Sequence, residues 1–353
     1  MPEQIKVLVV DDSAFMRKSI SIMLEEDKNI KVIGTAKDGV EGLELTKRLR
    51  PDLVTLDIEM PRMDGLTTLE KIMKECPTPV MMVSSLTTEG AESTLRALEL
   101  GAVDFIPKEL SFVNVNIIKI REELIRKVKE IVSQRSLRRR FRNLRAPSLV
   151  QKQIEYTPRF KSLPKIGYKA VALGISTGGP LSLQKVIPKL TFTSVPMFIV
   201  QHMPPKFTKS LSQRLNDLSS ITVKEAEEGE VVKNGTVYIA PGGFHMTLKK
   251  HPGFNTIHIS EQPEDTLHRP SVDVMMNSVI DIYGKYTLGV IMTGMGKDGS
   301  EAVDRLKKVG GYTISQDQES CVVFGMPRAV IEMGNADVVA DLEKIPVIIN
   351  EAI

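Results

Sequence analysis

In LGISTGGP, residues 173–180, an apolar run stops at a serine set between glycines. The hydroxyl of Ser176 is nearly inert near neutral pH, so acting as a nucleophile requires a histidine base and an acid that fixes the tautomer of that histidine. The chain holds five histidines. His202 closes the apolar run 195–200 in FIVQHMPP, whereas His251 and His258 flank a polar, hairpin-like stretch. His245, in APGGFHM, and His268, before Arg269, are further candidates. For the acid, Asp298 lies in IMTGMGKDG directly after the apolar run 288–292. Ser176, His202 and Asp298 would together perform acyl transfer to and from an ester or amide. A rival reading uses the same glycines. A glycine-rich turn before a helix also cradles phosphate, and Gly294, Gly296 and Gly299 spell G-x-G-x-x-G, with Asp317 and Glu319 about twenty residues further on, where a ribose-binding acid belongs. Against dinucleotide binding, Lys297 and Asp298 sit where small residues usually approach a pyrophosphate, and that reading leaves Ser176 and His202 without a role.

A second constellation occupies the first half. Asp11 and Asp12 end one apolar run, Asp57 ends another, and Ser84 and Lys108 end two more. Carboxylates brought together repel one another until a cation neutralises them, and hard oxygen ligands with open positions suit Mg²⁺. The set is that of a magnesium-assisted phosphoryl acceptor: Asp57 attacks as nucleophile, while the metal and the Lys108 ammonium stabilise the transferring group.

The elements that would position these residues alternate. Short β-branched runs at 5–10, 31–36, 53–56, 80–83 and 103–106 are separated by amphipathic segments at 14–26, 40–49, 66–74 and 92–100. Such a sequence builds a doubly wound parallel sheet whose ligands lie beyond the carboxyl ends of the strands, which would gather all five acidic-pocket residues on one edge. Ile117, Ile120, Leu124, Val128 and Ile131 recur at helical spacing and would form a closing helix. After it, QRSLRRRFRNLRAPS loses that periodicity and reads as a linker with solvated arginines. Strand and helix alternation resumes at Ala170, with a strand at 170–175, a helix at 181–186 and a helix at 302–309. The expected fold class is α/β: two doubly wound parallel-sheet domains, 1–133 and 166–353, joined by a linker at 134–165.

Bulk composition narrows the function classes. With 353 residues and 42% hydrophobic content, each half can bury a core. Lys and Arg total 47 against 44 for Asp and Glu, so no overall field attracts nucleic acid or an anionic membrane. A nucleic-acid-binding second half would need a helix-turn-helix pattern, and the basic run lies in the linker instead. Cys76 and Cys321 match no redox or metal spacing and fit buried thiols in a reducing compartment. MPEQIKVLVVDD reaches paired aspartates before it forms a signal core, and no apolar run has spanning length. The expectation is a cytoplasmic protein with no nucleic-acid partner and no direct membrane insertion.

VVDDS, LDIEMPRMDG, MVSS and GAVDFIPK resemble the receiver domain of bacterial two-component response regulators. The resemblance implies that Asp57 takes a phosphoryl group from a histidine kinase, that Asp11 and Asp12 help hold Mg²⁺ with the Glu59 carbonyl, and that Ser84 and Phe105 report phosphorylation. In one departure, Pro107 precedes Lys108 and Glu109 follows it, where receivers place proline directly after the lysine. GISTGGP, IVQHMPP, YIAPGGFHM, HRPSVDVM, TGMGKDG and SQDQESCVVFGMP resemble the catalytic domain of the chemotaxis-specific protein-glutamate methylesterase family. That resemblance implies a Ser176, His202, Asp298 triad with backbone oxyanion donors at Thr177 and Met295 and no cofactor in the catalytic domain. The implied reactions are hydrolysis of γ-glutamyl methyl esters on chemoreceptor cytoplasmic domains and deamidation of particular receptor glutamines. With a receiver ahead of it, the triad is expected to be obstructed until Asp57 is phosphorylated.

Overall fold

The computed structural model describes residues 4–108, 116–133 and 163–353, with backbone alone for 116–119. The chain forms two compact units, Met1–Val150 and Gln151–Ile353. The linker expected at 134–165, with its arginine run, lies outside the described residues except for 163–165, which carry neither helix nor strand. Among the described residues no helix is long and apolar enough to cross a membrane.

In the first unit, β1 (Ile5–Val10), β2 (Ile30–Ala36), β3 (Leu53–Asp57), β4 (Val80–Ser84) and β5 (Asp104–Pro107) form a parallel sheet in the order β2-β1-β3-β4-β5. Helices α1 (Ala14–Glu25), α2 (Gly39–Leu49), α3 (Gly65–Glu75), α4 (Thr88–Glu99) and α5 (Asn116–Ser133) connect and close it. Strands β3 and β4 are buried along their whole length, which is why they read as unbroken apolar runs rather than alternating ones. The loops after β1 to β4 end in polar caps: Ser13, Asp38, Asp64 and Thr87 accept backbone N–H bonds at the starts of α1 to α4. Helix α4 begins at Thr88, four residues before the apolar pattern does, because Thr87 accepts from Gly90 and sets the first turn there.

The second unit carries seven parallel strands. They are β6 (Ala170–Ile175), β7 (Met197–Gln201), β8 (Thr222–Glu225), β9 (Thr236–Ile239), β12 (Thr287–Ile291), β13 (Tyr312–Gln316) and β14 (Val338–Ala340), in the order β14-β13-β12-β6-β7-β9-β8. An antiparallel hairpin, β10 (His245–His251) with β11 (Phe254–Ser260), stands apart from this sheet. The helices are α6 (Gly179–Val186), α7 (Phe207–Leu218), α8 (Val272–Tyr283), α9 (Ser300–Lys308), α10 (Met326–Glu332) and α11 (Ile345–Ala352). Strands β6, β7 and β12 are buried throughout, and Phe198 on β7 stacks on Tyr238 of β9 with centroids 5.7 Å apart.

Both sheets reverse their strand order once near the middle. In the first the chain steps outward on either side of the boundary between β1 and β3. In the second, β6 leads to β7, β9 and β8 on one side, and the chain later returns to β12, β13 and β14 on the other. Loops diverge at such a reversal and leave a crevice beyond the carboxyl ends of the strands, where ligands of this fold class bind.

Candidate active site and acidic pocket

Ser176, His202 and Asp298 follow the three strands at the reversal of the second sheet. Ser176 comes directly after β6 and His202 directly after β7, and Asp298 lies in the loop from β12 to α9. Parallel pairing of β6 with β7 runs to Ile175 opposite Gln201, and the next residue continues it, with His202 N donating to the Ile175 carbonyl at 3.2 Å. On the other flank, Ser176 N donates to the Thr293 carbonyl at 3.0 Å. Serine and histidine are therefore placed side by side on one sheet edge.

The histidine and the acid are joined. His202 Nε2 lies 2.7 Å from Asp298 Oδ2. Oδ2 also accepts the Val272 N–H at 2.7 Å, and Oδ1 accepts the Asp273 N–H at 3.0 Å and the Ser271 hydroxyl at 2.9 Å. Burial pushes the Asp298 carboxyl upward, but the His202 hydrogen bond and charge, with the Asp273 and Val272 N–H groups, outweigh it and hold the carboxyl below the ordinary range. These donors form the first turn of α8, where the helix dipole also favours negative charge. Next to it, burial, the Asp298 charge and a hydrogen bond with Asp298 raise the Asp273 carboxyl, against the opposing Ala302 N–H.

An ionised Asp298 at Nε2 requires that nitrogen to carry the hydrogen, which leaves the lone pair on Nδ1. Nδ1 is buried and has no hydrogen-bond partner among the described residues. The nitrogen of His202 left able to accept a proton is thus Nδ1, the reverse of the arrangement in which Nε2 faces the serine. Ser176 Oγ and the ring are not hydrogen-bonded to each other among the described residues; such contacts commonly tighten only when substrate binds.

Glycines bring the backbones together around Ser176. A Cβ on Gly294 would lie 2.8 Å from Ser176 Cβ and 2.3 Å from Met326 Sδ, and one on Gly325 would lie 2.7 Å from the Gly294 carbonyl oxygen. Gly178 has φ +75, which lets the chain turn sharply into α6. Thr177 and Met295, the expected oxyanion donors, are both buried beside this turn. The Met295 N–H has no acceptor within the described residues, as a group reserved for a bound oxyanion would.

Several contributors carry no motif. Gln201 Nε2 donates to the carbonyls of Ser176 and His202, at 3.0 and 3.1 Å, tying the two strand-end residues together. Thr293 is wholly buried; its hydroxyl donates to the Thr177 carbonyl at 2.9 Å and accepts the Val323 N–H at 3.0 Å, and its N–H donates to Gln316 Oε1 at 2.8 Å. His268 stacks on His202. The sequence offered His268 and His245 as alternative bases; in the structure the His245 ring meets the Ser271 N–H and the Pro263 carbonyl, and His251 and His258 lie on the hairpin.

The dinucleotide reading is not supported by this geometry. The space over Gly294 is filled by Ser176 and Met326, and a Cβ on Gly299 would meet Val272 at 2.7 Å. Asp317 is engaged by the N–H and hydroxyl of Ser320, at 2.9 and 2.7 Å.

In the first unit, Asp11, Asp12 and Asp57 offer carboxylate oxygens within 4.8 Å of one another. Asp11 and Asp57 are buried and Asp12 is exposed, so the group opens to solvent on one side. Lys108 Nζ lies 2.6 Å from Asp57 Oδ2 and 3.1 Å from Asp11 Oδ2. Burial, with the Asp11 charge added and Lys108 opposing, pushes the Asp57 carboxyl up to about 6, and burial raises Asp11 as well. A cluster in which ionisation is this unfavourable fits a small hard cation. Glu59 N approaches Asp57 Oδ1 at 3.4 Å, which puts the backbone of Glu59 beside the acids. Ser84 Oγ is turned to the Gly90 carbonyl at 3.1 Å. Phe105 is buried, with Lys127 Nζ 5.5 Å from its ring centroid, 2.8 Å from its carbonyl oxygen and 3.0 Å from Asp104. The peptide before Pro107 is not among the cis bonds, which precede Pro263 and Pro270, and Lys108 N donates to the Ser84 carbonyl at 2.7 Å. Position 109, which departs from the receiver pattern, lies outside the described residues.

Comparison with known proteins agrees with this partition. Residues 171–349 match the CheB methylesterase family, and residues 7–117 match the response regulator receiver domain. A protein-glutamate methylesterase/protein-glutamine glutaminase of Pyrococcus horikoshii is 47% identical, over 100% of this chain and 95% of its own. Another, of Nitratidesulfovibrio vulgaris, is 48% identical over 96% of each chain. The crystal structure of the Thermotoga maritima CheB methylesterase catalytic domain is 48% identical and covers 53% of this chain and 100% of its own, with a TM-score of 0.51. With a receiver domain ahead of a seven-stranded hydrolase domain, this chain belongs to the CheB methylesterase family.

Proposed function

We propose that the chain is a protein-glutamate methylesterase and protein-glutamine glutaminase acting on the cytoplasmic domains of chemoreceptors, with Ser176, His202 and Asp298 as its triad. The observation that carries the reading is the 2.7 Å contact between His202 and Asp298 beside a serine on the adjoining strand end. Ser176 Oγ attacks the carbonyl carbon of the γ-methyl ester while its proton passes to His202 Nδ1, and Asp298 balances the imidazolium. The new oxyanion is held by the N–H groups of Thr177 and Met295. On collapse the carbon–methoxy bond breaks and the same proton passes to the leaving oxygen, giving methanol and an acyl-serine. Water then attacks, gives up a proton to Nδ1, and releases glutamate and free Ser176. With a glutamine side chain, ammonia leaves in place of methanol.

In the receiver domain, Asp57 is the phosphoryl acceptor for a histidine kinase, and Lys108 balances charge on the incoming group. Asp11, Asp12, Asp57 and the Glu59 carbonyl would hold Mg²⁺, which when bound neutralises the acids and the transferring oxygens. Ser84 and Phe105 are the reporters of the modified state, through which phosphorylation controls the esterase rate. Cytoplasmic residence follows from these partners. Methanol release from a methylated receptor fragment tests the assignment. The wild-type chain releases methanol faster with a small-molecule phosphodonor present, and Ser176→Ala releases it about 10⁴- to 10⁶-fold more slowly. Unchanged release by that variant would end it.

A further inference from the structure

His245 is a buried titratable group of the hydrolase domain that the mechanism leaves unused. It is wholly buried at the start of β10. Nδ1 accepts the Ser271 backbone N–H at 3.2 Å, and Nε2 lies 3.2 Å from both the Pro263 carbonyl and Thr266 Oγ1. A backbone N–H on one ring nitrogen demands a lone pair there, and a carbonyl opposite the other demands a hydrogen. The neutral Nε2–H tautomer meets both demands. Protonation would set an N–H against the N–H of Ser271. The charged groups that act on the ring are Arg269, which opposes protonation, and Asp298, which favours it.

Ser271 does two things at once. Its hydroxyl donates to Asp298 Oδ1 at 2.9 Å and accepts the Val274 N–H at 3.4 Å, capping α8. Val272 and Asp273, the next two residues, supply the two backbone donors on Asp298. Three of the four groups that hold the acid thus come from one turn, and the N–H at the head of that turn is fixed by His245.

We propose that His245 is a positioning residue for ester hydrolysis: a hydrogen-bond acceptor that sets the Ser271 turn and so the orientation of Asp298 against His202. The inference rests on the triad reading. It reaches His202 through two intervening residues, so its loss shows in the chemical step and in the titration of the base, not in substrate binding.

The test compares full-length wild type, His245→Asn, His245→Leu and Ser176→Ala on a methylated receptor fragment. In asparagine, Oδ1 takes roughly the place of Nδ1 and can accept the Ser271 N–H; leucine fills the space with no acceptor. His245→Leu is expected to lose about 10- to 100-fold in kcat with KM within about twofold of wild type. The acid limb of its kcat/KM profile moves to higher pH, because a carboxylate with poorly aligned donors holds the imidazolium more tightly. His245→Asn recovers most of the rate and the wild-type limb. In ¹⁵N spectra of the wild type, the His245 ring stays in the Nε2–H form across the pH range in which activity rises. A leucine variant with wild-type kcat and an unshifted limb overturns the proposal. Equal impairment of both variants with an unshifted limb and matched losses in Tm also overturns it, since that is what a packing role alone produces. An active Ser176→Ala would instead remove the triad reading beneath it.

Discussion

The imidazole of His268 lies over that of His202, with centroids 4.1 Å apart and ring planes 26° from parallel. One face of the His202 ring is thereby covered by a second ring, while its edge is bonded to Asp298. A ring pair of this kind contributes about 0.5–1.5 kcal/mol beyond its buried area. Replacing His268 by alanine is therefore expected to lower kcat about 2- to 10-fold, and His268→Phe, which keeps a ring in place, to lose less. Steady-state rates for the two variants check this.

Asp298→Asn keeps the shape of the acid but presents an amide where a carboxylate was. The amide group can donate to Nε2, which moves the ring hydrogen to Nδ1 and removes the lone pair that must face Ser176. The expected loss is about 10⁴-fold in kcat, as for other triads in which the wrong tautomer is stabilised. A pre-steady-state experiment should show acylation itself slowed rather than deacylation alone.

Gly294→Ala tests the close approach of two backbones. Its new methyl would lie 2.8 Å from Ser176 Cβ, so either the serine or the turn carrying Met295 shifts. Displacement of about 1 Å at a reacting centre can cost on the order of 100-fold in rate. By contrast Gly253→Ala, at a site where a Cβ meets nothing within 4 Å, is expected to leave the rate unchanged despite its φ of +87. Comparing the rates of these two variants separates crowding at the serine from the general effect of removing a glycine.

Asp57 supplies a pH test. Its folded-state value, about 6, lies above the ordinary 3.8, so the folded domain binds the proton more tightly than the unfolded chain does. Ionised Asp57 is then a penalty that is fully present above about pH 6 and shrinks as pH falls toward 3.8. Asp57→Asn is expected to stabilise the metal-free receiver domain at pH 7.5 by about 3 kcal/mol at most, with the gain fading below pH 6. Saturating Mg²⁺ should narrow the gap at neutral pH. Denaturant melts at several pH values, with and without Mg²⁺, measure it.

What could be read from the sequence were residues that interrupt a pattern. Ser176, His202, Asp57 and the Asp11–Asp12 pair each end a run of buried strand residues, and a polar group at that position has few reasons to be there other than the crevice. Asp298 was legible from the strand just before its loop. Gln201, Thr293 and Ser271 were not, because each works through hydrogen bonds to residues distant in sequence and its type is common in any loop or strand end. The stacking of His268 on His202 depends on how residues 261–271 fold back, which no local periodicity encodes. Strands β8, β9, β13 and β14 also escaped. They are short, polar residues are mixed into all of them except β14, and they are recognised as strands through the neighbours they pair with.

Ser176 and His202 directly follow β6 and β7, and Asp298 lies in the loop after β12, three adjacent strands at the middle of a seven-stranded sheet. Those strands are the last part of a sheet to exchange their amide hydrogens, because opening them means opening the whole domain. Ser176 and His202 are therefore anchored to central strands, which fraying at either margin of the sheet is expected to leave in place. Control of such an enzyme is therefore expected to leave these central strands intact, since opening them would require global unfolding.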